Sequence, residues 1–319
     1  MSFTRRAMVA AIASGAVVPN AFAKAPIKAP PKIRDEIGHA KVPGGKVWWR
    51  RVGSGPKTPL LLLHGGPGAG HNYLLPMRAL ANDRPVIFYD QLGCGLSDAP
   101  QRDELYRIPR FVEEIDAVCK ALKLDRIVLF GNSWGSALAI EYMVTGHGKG
   151  VEKLILSGAF ASEPQAIAGM QRLVDALPDG AGEKLYELEA AGKQESPEYK
   201  SLLGLFYDRH VCRANPKPPE YTAAITNLVK SPANRVMWGP KEFTIEGNIK
   251  GWERRPDLGQ IGVPTLITTG EFDEITIDCA EAIQQGVVGS KLVVMPGCSH
   301  LTMLERPDAY NAIVRKFIA

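Results

Sequence analysis

A serine between two glycines marks the candidate nucleophile of this chain. Ser133 lies in the segment Gly131-Asn132-Ser133-Trp134-Gly135, between the apolar run "DRIVLF" and apolar residues at helical spacing. Flanking glycines relieve crowding where a strand turns sharply into a helix, and the turn raises the serine at the carboxyl edge of a sheet. The N-terminus of the following helix also favours negative charge. The segment therefore predicts a nucleophile elbow.

The candidate acid and base follow the serine in the order that an elbow requires. A serine hydroxyl needs a histidine base, and the histidine needs a carboxylate that fixes its tautomer and stabilises its charged form. Asp273 follows the apolar run "VPTLITTG", and His300 follows "KLVVMPG". The order Ser, Asp, His on loops after strands predicts a catalytic triad. Glu271 and Glu274, on the same loop as Asp273, remain alternatives for the acid.

The oxyanion of an acyl-transfer intermediate needs two backbone N–H donors. One should come from Trp134, the residue after the serine, and the other from an early strand-to-helix loop. The sequence "HGGPG" at residues 64–68 fits that loop, because glycines allow N–H groups to turn inward. We predict Gly66 as the second donor, with Gly65 as the alternative. His64 is expected to brace the loop and not to act as a base.

The elements that must position these residues form an alternating pattern. Strands that are apolar throughout, such as "TPLLLLHGG" and "RPVIFYD", alternate with helices, which predicts a parallel sheet covered on both faces. From 161 to 255 no strand pattern occurs, and the chain reads as short helices. We therefore predict an α/β core formed by residues 42–160 and 256–319, with an inserted helical cap at 161–255.

Composition argues against several other classes of protein. The net charge is +4 over 319 residues with no basic stripe, which disfavours nucleic-acid binding, and no apolar run reaches membrane-spanning length. The five cysteines show no C-x-x-C pair and no zinc spacing, so neither a disulfide nor a metal site is expected. "GCGLSD" lacks the third glycine of a dinucleotide-binding loop. No cofactor is predicted.

The N-terminus has the pattern of an export signal. Paired arginines Arg5 and Arg6 precede a mildly apolar stretch, which ends in Ala21-Phe22-Ala23. These features predict a signal peptide at residues 1–23, of the twin-arginine type, and a periplasmic or secreted protein. The alternative is a cytoplasmic protein with a disordered or helical N-terminus. The proline-rich stretch that follows is expected to be a linker over residues 24–41.

Five sequence blocks carry a resemblance to a known family. "HGGPG", "YDQLGCGLSD", "GNSWGS", "GEFDE" and "GCSHLTM" occur in this order. From about Lys41 to its end the chain resembles the prolyl iminopeptidase family of serine peptidases, within the α/β-hydrolases. "KEFTIEGNIKGW" and "GEFDEIT" are similar to the tricorn-interacting aminopeptidase branch. The resemblance implies an exopeptidase that releases an N-terminal residue, preferably proline, from short peptides through an acyl-enzyme.

The same resemblance implies a role for two glutamates. Glu242 in the cap and Glu274 after the catalytic aspartate would hold the free amino group of a peptide or amino-acid amide. Two carboxylates around one ammonium favour an unblocked N-terminus. From the residues alone, the preferred interpretation is that both are ordinary solvated glutamates, and the resemblance is what favours a binding role. The export signal departs from the family's usual cytosolic pattern.

Two other enzyme classes remain possible, and a third interpretation is disfavoured. An amino-acid amide hydrolase would use the same acyl-enzyme route, whereas a carboxylesterase or lactonase would have no use for the two glutamates. A ligand-binding protein on this fold is disfavoured, because a binder need not keep the serine, the acid and the histidine together.

Overall fold

The computed structural model describes residues 35–319. The predicted signal peptide and the first part of the predicted linker lie outside the described residues. The linker ends earlier than expected, because β1 already begins at Asp35 and spans Asp35–Val42. It pairs over its whole length with the antiparallel β2, Gly45–Val52. The sequence "DEIGHAKV" lacks the apolar pattern of a buried strand, because Ala40 is the one fully buried residue of β1.

Eight strands form one sheet in the order β1-β2-β4-β3-β5-β6-β7-β8. β2 pairs with β4 in antiparallel orientation, and all pairs from β4 through β8 are parallel. The parallel strands are β3 Leu60–Leu63, β4 Val86–Tyr89, β5 Ile127–Asn132, β6 Val151–Ser157, β7 Thr265–Gly270 and β8 Lys291–Met295.

Every residue of β3, β4, β5 and β7 is buried. Complete burial requires cover on both faces of the sheet, which the helices of the core supply. These are α1 Ile108–Leu122 and α2 Trp134–Val144, and, after β7, α8 Ile277–Gly286, α9 Thr302–Glu305 and α10 Pro307–Ile318. Short 3₁₀ segments span Asn72–Leu80, Asp103–Leu105, Gly148–Gly150, Pro178–Gly180 and Arg255–Gln260.

Five helices separate β6 from β7, in the stretch for which the sequence predicts a cap. They are α3 Glu163–Asp175, α4 Ala181–Ala190, α5 Pro197–His210, α6 Pro219–Lys230 and α7 Pro232–Met237. No strand occurs in this stretch, all of which is described. The cap and the sheet belong to one compact unit. In residues 35–319, no helix combines the length and apolar character needed to cross a membrane.

Candidate active site

Ser133 lies at the turn between β5 and α2 in a conformation that non-glycine residues rarely adopt. Its φ is 56° and its ψ is −126°. The neighbouring glycines are sterically required, because a Cβ at Gly131 would clash with the carbonyl oxygen of Gly135. A Cβ at Gly135 would clash with the carbonyl oxygen of Leu63 on β3. The turn therefore combines backbone strain with very close packing of helix against sheet.

The structure brings Asp273 and His300 into contact with each other. His300 Nδ1 lies 2.6 Å from Asp273 Oδ1, and both side chains are buried. The backbone N–H of Ile275 donates to the same carboxylate oxygen at 2.9 Å, and the Thr269 hydroxyl donates to the other at 3.1 Å. These bonds fix the carboxylate, which in turn fixes the orientation of the histidine ring.

The alternative acids on the same loop are placed differently. Glu271 is exposed, and its Oε2 accepts the backbone N–H of Gly297 at 2.8 Å. Glu274 lies 3.5 Å from the other ring nitrogen of the histidine, Nε2. Asp273 is thus the loop carboxylate that holds His300 through Nδ1.

Burial and charge act in opposite directions on His300. Burial alone would lower its pKa, but the carboxylates of Asp273 and Glu274 outweigh burial and raise the pKa to about 9. His300 and Ser133 line the same pocket. Within residues 35–319, no hydrogen bond joins the two side chains.

Two backbone N–H groups near Ser133 are free to bind an oxyanion. The N–H of Gly65 already donates to the Tyr73 hydroxyl at 2.7 Å. Among the described residues, no acceptor is found for the N–H of Gly66 or of Trp134. This arrangement favours Gly66 over Gly65 as the second donor. The loop also lies close to the serine, since a Cβ at Gly65 would be 2.9 Å from that of Ser133.

A buried network that the sequence did not predict supports these donors. His64 is fully buried, with Nδ1 2.9 Å from the Gly65 carbonyl oxygen and Nε2 accepting the backbone N–H of Gln91 at 2.9 Å. Gln91 Oε1 accepts the indole N–H of Trp134 at 2.9 Å. Burial lowers the pKa of His64. His64 therefore braces the loop as a neutral imidazole, as the sequence indicated, and Gln91 links the two sides of the site.

Glu242 and Glu274 come together in the pocket of the serine. Burial, followed by the charge of Glu274, raises the pKa of Glu242 to about 8. Burial also raises the pKa of Glu274 to about 7, against the opposing effect of His300. Glu274 Oε2 is buried and has no hydrogen-bond partner among the described residues. Two crowded carboxylates with an unused oxygen form a site that a cation would stabilise.

Two further residues hold Glu242 in place. The Tyr207 hydroxyl on α5 hydrogen-bonds the Glu242 carboxylate. Glu189 on α4 is buried, and its Oε1 accepts the backbone N–H of Glu242 at 3.1 Å and the Tyr199 hydroxyl at 2.8 Å. Neither residue lies in a motif, and a buried glutamate in "YELEAAG" cannot be distinguished from a solvated one by pattern.

The cap supplies most of the apolar wall of the pocket. Met170 comes from α3, Tyr207 from α5, Tyr221 and Leu228 from α6, and Trp238 from the segment after α7. The serine thus lies at the sheet edge under a cover of cap side chains.

A separate buried group has side chains of the kind that bind metals. Ligand-type atoms of His64, Asp90 and Cys94 lie within 4.8 Å of one another. Each is already hydrogen-bonded within the protein: Asp90 Oδ1 accepts the backbone N–H of His71 at 2.7 Å, and the Cys94 sulfur lies 3.1 Å from the Gln91 carbonyl oxygen. This geometry fits a structural network beneath the "HGGPG" loop.

Comparison with known proteins agrees with this architecture. The family described as the alpha/beta hydrolase fold matches residues 58–307. Together with the mostly parallel sheet and the elbow, this match shows that the chain belongs to the α/β-hydrolase fold family, which confirms the predicted fold class.

Individual relatives define the family more narrowly. The proline iminopeptidase of Thermoplasma volcanium is 40% identical over 290 residues, which cover 89% of this chain and 97% of that one. A solved proline iminopeptidase from Mycobacterium smegmatis is 32% identical, with a TM-score of 0.82 and coverage of 89% and 97%. The solved structure of VinJ is also 32% identical, with a TM-score of 0.85 and coverage of 89% and 98%. The chain is a member of the proline iminopeptidase family.

Proposed function

We propose that this protein is a serine exopeptidase that releases an N-terminal residue, preferably proline, from short peptides. The observation that carries the proposal is the pair Glu242 and Glu274, which share one pocket with Ser133 and have raised pKa values. A protonated α-amine would satisfy both carboxylates, whereas a neutral acyl group would leave them buried and unpaired. The proline iminopeptidase names of the relatives support the same substrate class.

The geometry around Ser133 supports an acyl-enzyme route. Ser133 attacks the scissile carbonyl while His300 Nε2 accepts its proton, and Asp273 holds the imidazolium that forms. The N–H groups of Gly66 and Trp134 bind the oxyanion. His300 then protonates the departing amine. In the second half of the reaction, water gives a proton to His300 and attacks the acyl group, and Ser133 leaves with the proton from His300.

The cap explains why the cut falls after one residue. Glu242 belongs to the cap, and Glu274 belongs to the loop that carries Asp273. The two carboxylates would therefore hold the substrate's α-amine at a fixed distance from Ser133. We expect this arrangement to accept a single residue on the acyl side. Holding the amine also orients the carbonyl over the serine.

An amino-acid amide hydrolase is the second candidate, because it needs the same acyl side and differs in the leaving group. A substrate panel separates the candidates: anilides of proline, alanine and leucine, proline amide, a short peptide with N-terminal proline, and a short-chain ester. We expect the highest kcat/KM for prolyl substrates with a peptide or anilide leaving group. Preference for proline amide over the peptide would establish the amidase instead. Preference for the ester would exclude both the exopeptidase and the amidase.

We further propose that the protein acts in the periplasm or outside the cell, because Arg5 and Arg6 precede an apolar stretch that ends in Ala21-Phe22-Ala23. Replacing both arginines with lysine should block twin-arginine export and leave the precursor in the cytoplasm. Mature native protein should begin at Lys24. Unchanged periplasmic activity in the double variant, or an N-terminus still at Met1, would contradict this proposal.

A further inference from the structure

Glu274 contacts the base of the reaction as well as the candidate amine site. Its Oε1 lies 3.5 Å from His300 Nε2, the nitrogen that must accept the proton of Ser133. Its Oε2 is buried and unpartnered within the described part of the chain, and the residue lines the pocket. One carboxylate therefore touches the base through one oxygen and keeps the other for a ligand.

This contact stabilises the charged form of the base. The imidazole lies between Asp273 at Nδ1 and Glu274 at Nε2, with the histidine and Glu274 side chains 4% and 13% exposed. In such a poorly solvated place, each carboxylate favours the imidazolium. The pKa of His300 is raised to about 9 and that of Glu274 to about 7, so both are charged between those pH values. Protonated Nε2 cannot take a proton from Ser133.

We propose that the substrate's own α-ammonium group switches on His300 by binding to Glu274. The ammonium donates to the free Oε2 and offsets the negative charge that stabilises the imidazolium. His300 then releases its Nε2 proton to solvent, and the freed lone pair accepts the proton of Ser133. The inference rests on the proposed function, and adds that the α-amine acts on the chemical step as well as on binding.

Other ionisable groups face this pair but do not replace Glu274. They are Asp273 on the same loop, Glu305 on α9, His210 and Tyr207 on α5, Tyr221 on α6, and Glu242 in the cap. Asp273 holds the opposite ring nitrogen, and Glu305 accepts the backbone N–H of Ser299 at 2.7 Å. Among the described residues, Glu274 is the acid whose carboxylate lies within 4 Å of Nε2.

The pH profile of a substrate without an amine tests the proposal. We would measure kcat/KM for 4-nitrophenyl acetate from pH 5.5 to 10 with the wild type, Glu274→Gln and Glu271→Gln. Removal of the Glu274 charge should lower the profile's midpoint by about one pH unit and raise the rate at about pH 7.5 several-fold, because the wild-type carboxylate is charged above about pH 7. Glu271→Gln is the matched control, because it removes an exposed carboxylate from the same loop and keeps an oxygen for the Gly297 N–H, and it should keep the wild-type midpoint.

Superimposable ester profiles of the wild type and Glu274→Gln would overturn the proposal. Failure of the proposed function would look different: all three proteins would cleave N-acetylprolyl and free prolyl anilide equally well.

If Glu274→Gln does not fold, the proposal can be tested with the wild type alone. Methylammonium chloride should stimulate its ester hydrolysis several-fold at pH 7, after correction for the uncatalysed reaction. Tetramethylammonium chloride at the same ionic strength has no N–H donor and should not stimulate it. Equal rates in the two salts would overturn the proposal.

Discussion

In the proposed reaction Ser133 attacks only when His300 accepts its proton, so the two side chains should act as one unit. Ser133→Ala should lower kcat about a million-fold, and His300→Ala should lower it by a similar factor. The double variant should be no slower than either single variant. Prolyl anilide turnover of pure protein provides the measurement, and more than a few per cent residual activity in Ser133→Ala would contradict the assignment.

Glu189 should matter because it holds the backbone that carries Glu242. Glu189→Ala removes the acceptor for the Glu242 N–H and for the Tyr199 hydroxyl. Leaving these groups unpaired should reduce kcat/KM for free prolyl anilide about tenfold or more, through a higher KM. Glu189→Gln keeps an oxygen acceptor and should restore most of the loss. Equal losses in the two variants would show that the glutamate's charge, and not this placement, is what matters.

Residues of the site differed in how far the sequence could identify them. The order along the chain was enough to predict Ser133, Asp273 and His300, because each lies just after a recognisable apolar strand. Gln91, Tyr207 and Glu189 do not, because their roles depend on which loops and helices meet in space. The choice between Gly66 and Gly65 also needed the fold, since the Tyr73 hydroxyl that occupies the Gly65 N–H comes from a later segment.

At the scale of elements, the elbow depends on α2 packing directly against β3. Gly135→Ala places a Cβ against the Leu63 carbonyl oxygen, and a backbone atom cannot move aside as a flexible side chain would. We expect a loss of about 1–3 kcal/mol in the free energy of unfolding, together with reduced activity. Denaturant titration measures the loss.

Gly204→Ala is the matched control for this prediction. Gly204 lies inside α5, and a Cβ there would meet nothing within 4 Å. Alanine should stabilise that helix by up to about 1 kcal/mol, because it loses less backbone entropy than glycine on folding. A neutral Gly135→Ala would contradict the close packing.

The parallel strands could be predicted from the sequence and β1 could not, and the degree of burial explains both outcomes. Strands buried on both faces must be apolar throughout, which a sequence displays directly. β1 is an edge strand with few buried residues, so its charged sequence resembles a linker. The helical cap was visible as a missing strand pattern over 161–255, but the sequence could not show which of its helices cover the serine.

At the scale of the whole molecule, the buried carboxylates should make stability depend on pH. The pKa of Glu242 is raised to about 8, so the folded protein keeps a proton that the unfolded chain releases from about pH 4.5 upward. The contribution of this group to stability therefore falls as pH rises from about 4.5 to 8.

Glu242→Gln should thus stabilise the protein at pH 8.5, by on the order of 2 kcal/mol, and much less at pH 5. Thermal unfolding at the two pH values measures the difference. The control is Glu195→Gln, which replaces a carboxylate that is 92% exposed and should show no pH-dependent gain. A Glu242→Gln variant that is equally stabilised at both pH values would contradict burial as the cause.

The central claim is that this protein recognises a free N-terminal amine next to Ser133. The most direct test compares kcat/KM of the wild type for proline 4-nitroanilide and for the same compound with an N-acetyl group. Each charge-assisted contact to Glu242 or Glu274 is worth about 1.5–3 kcal/mol, so the free compound should be cleaved at least a hundredfold faster. Equal cleavage of the two compounds would contradict the account, and a general esterase or amidase would then replace the exopeptidase.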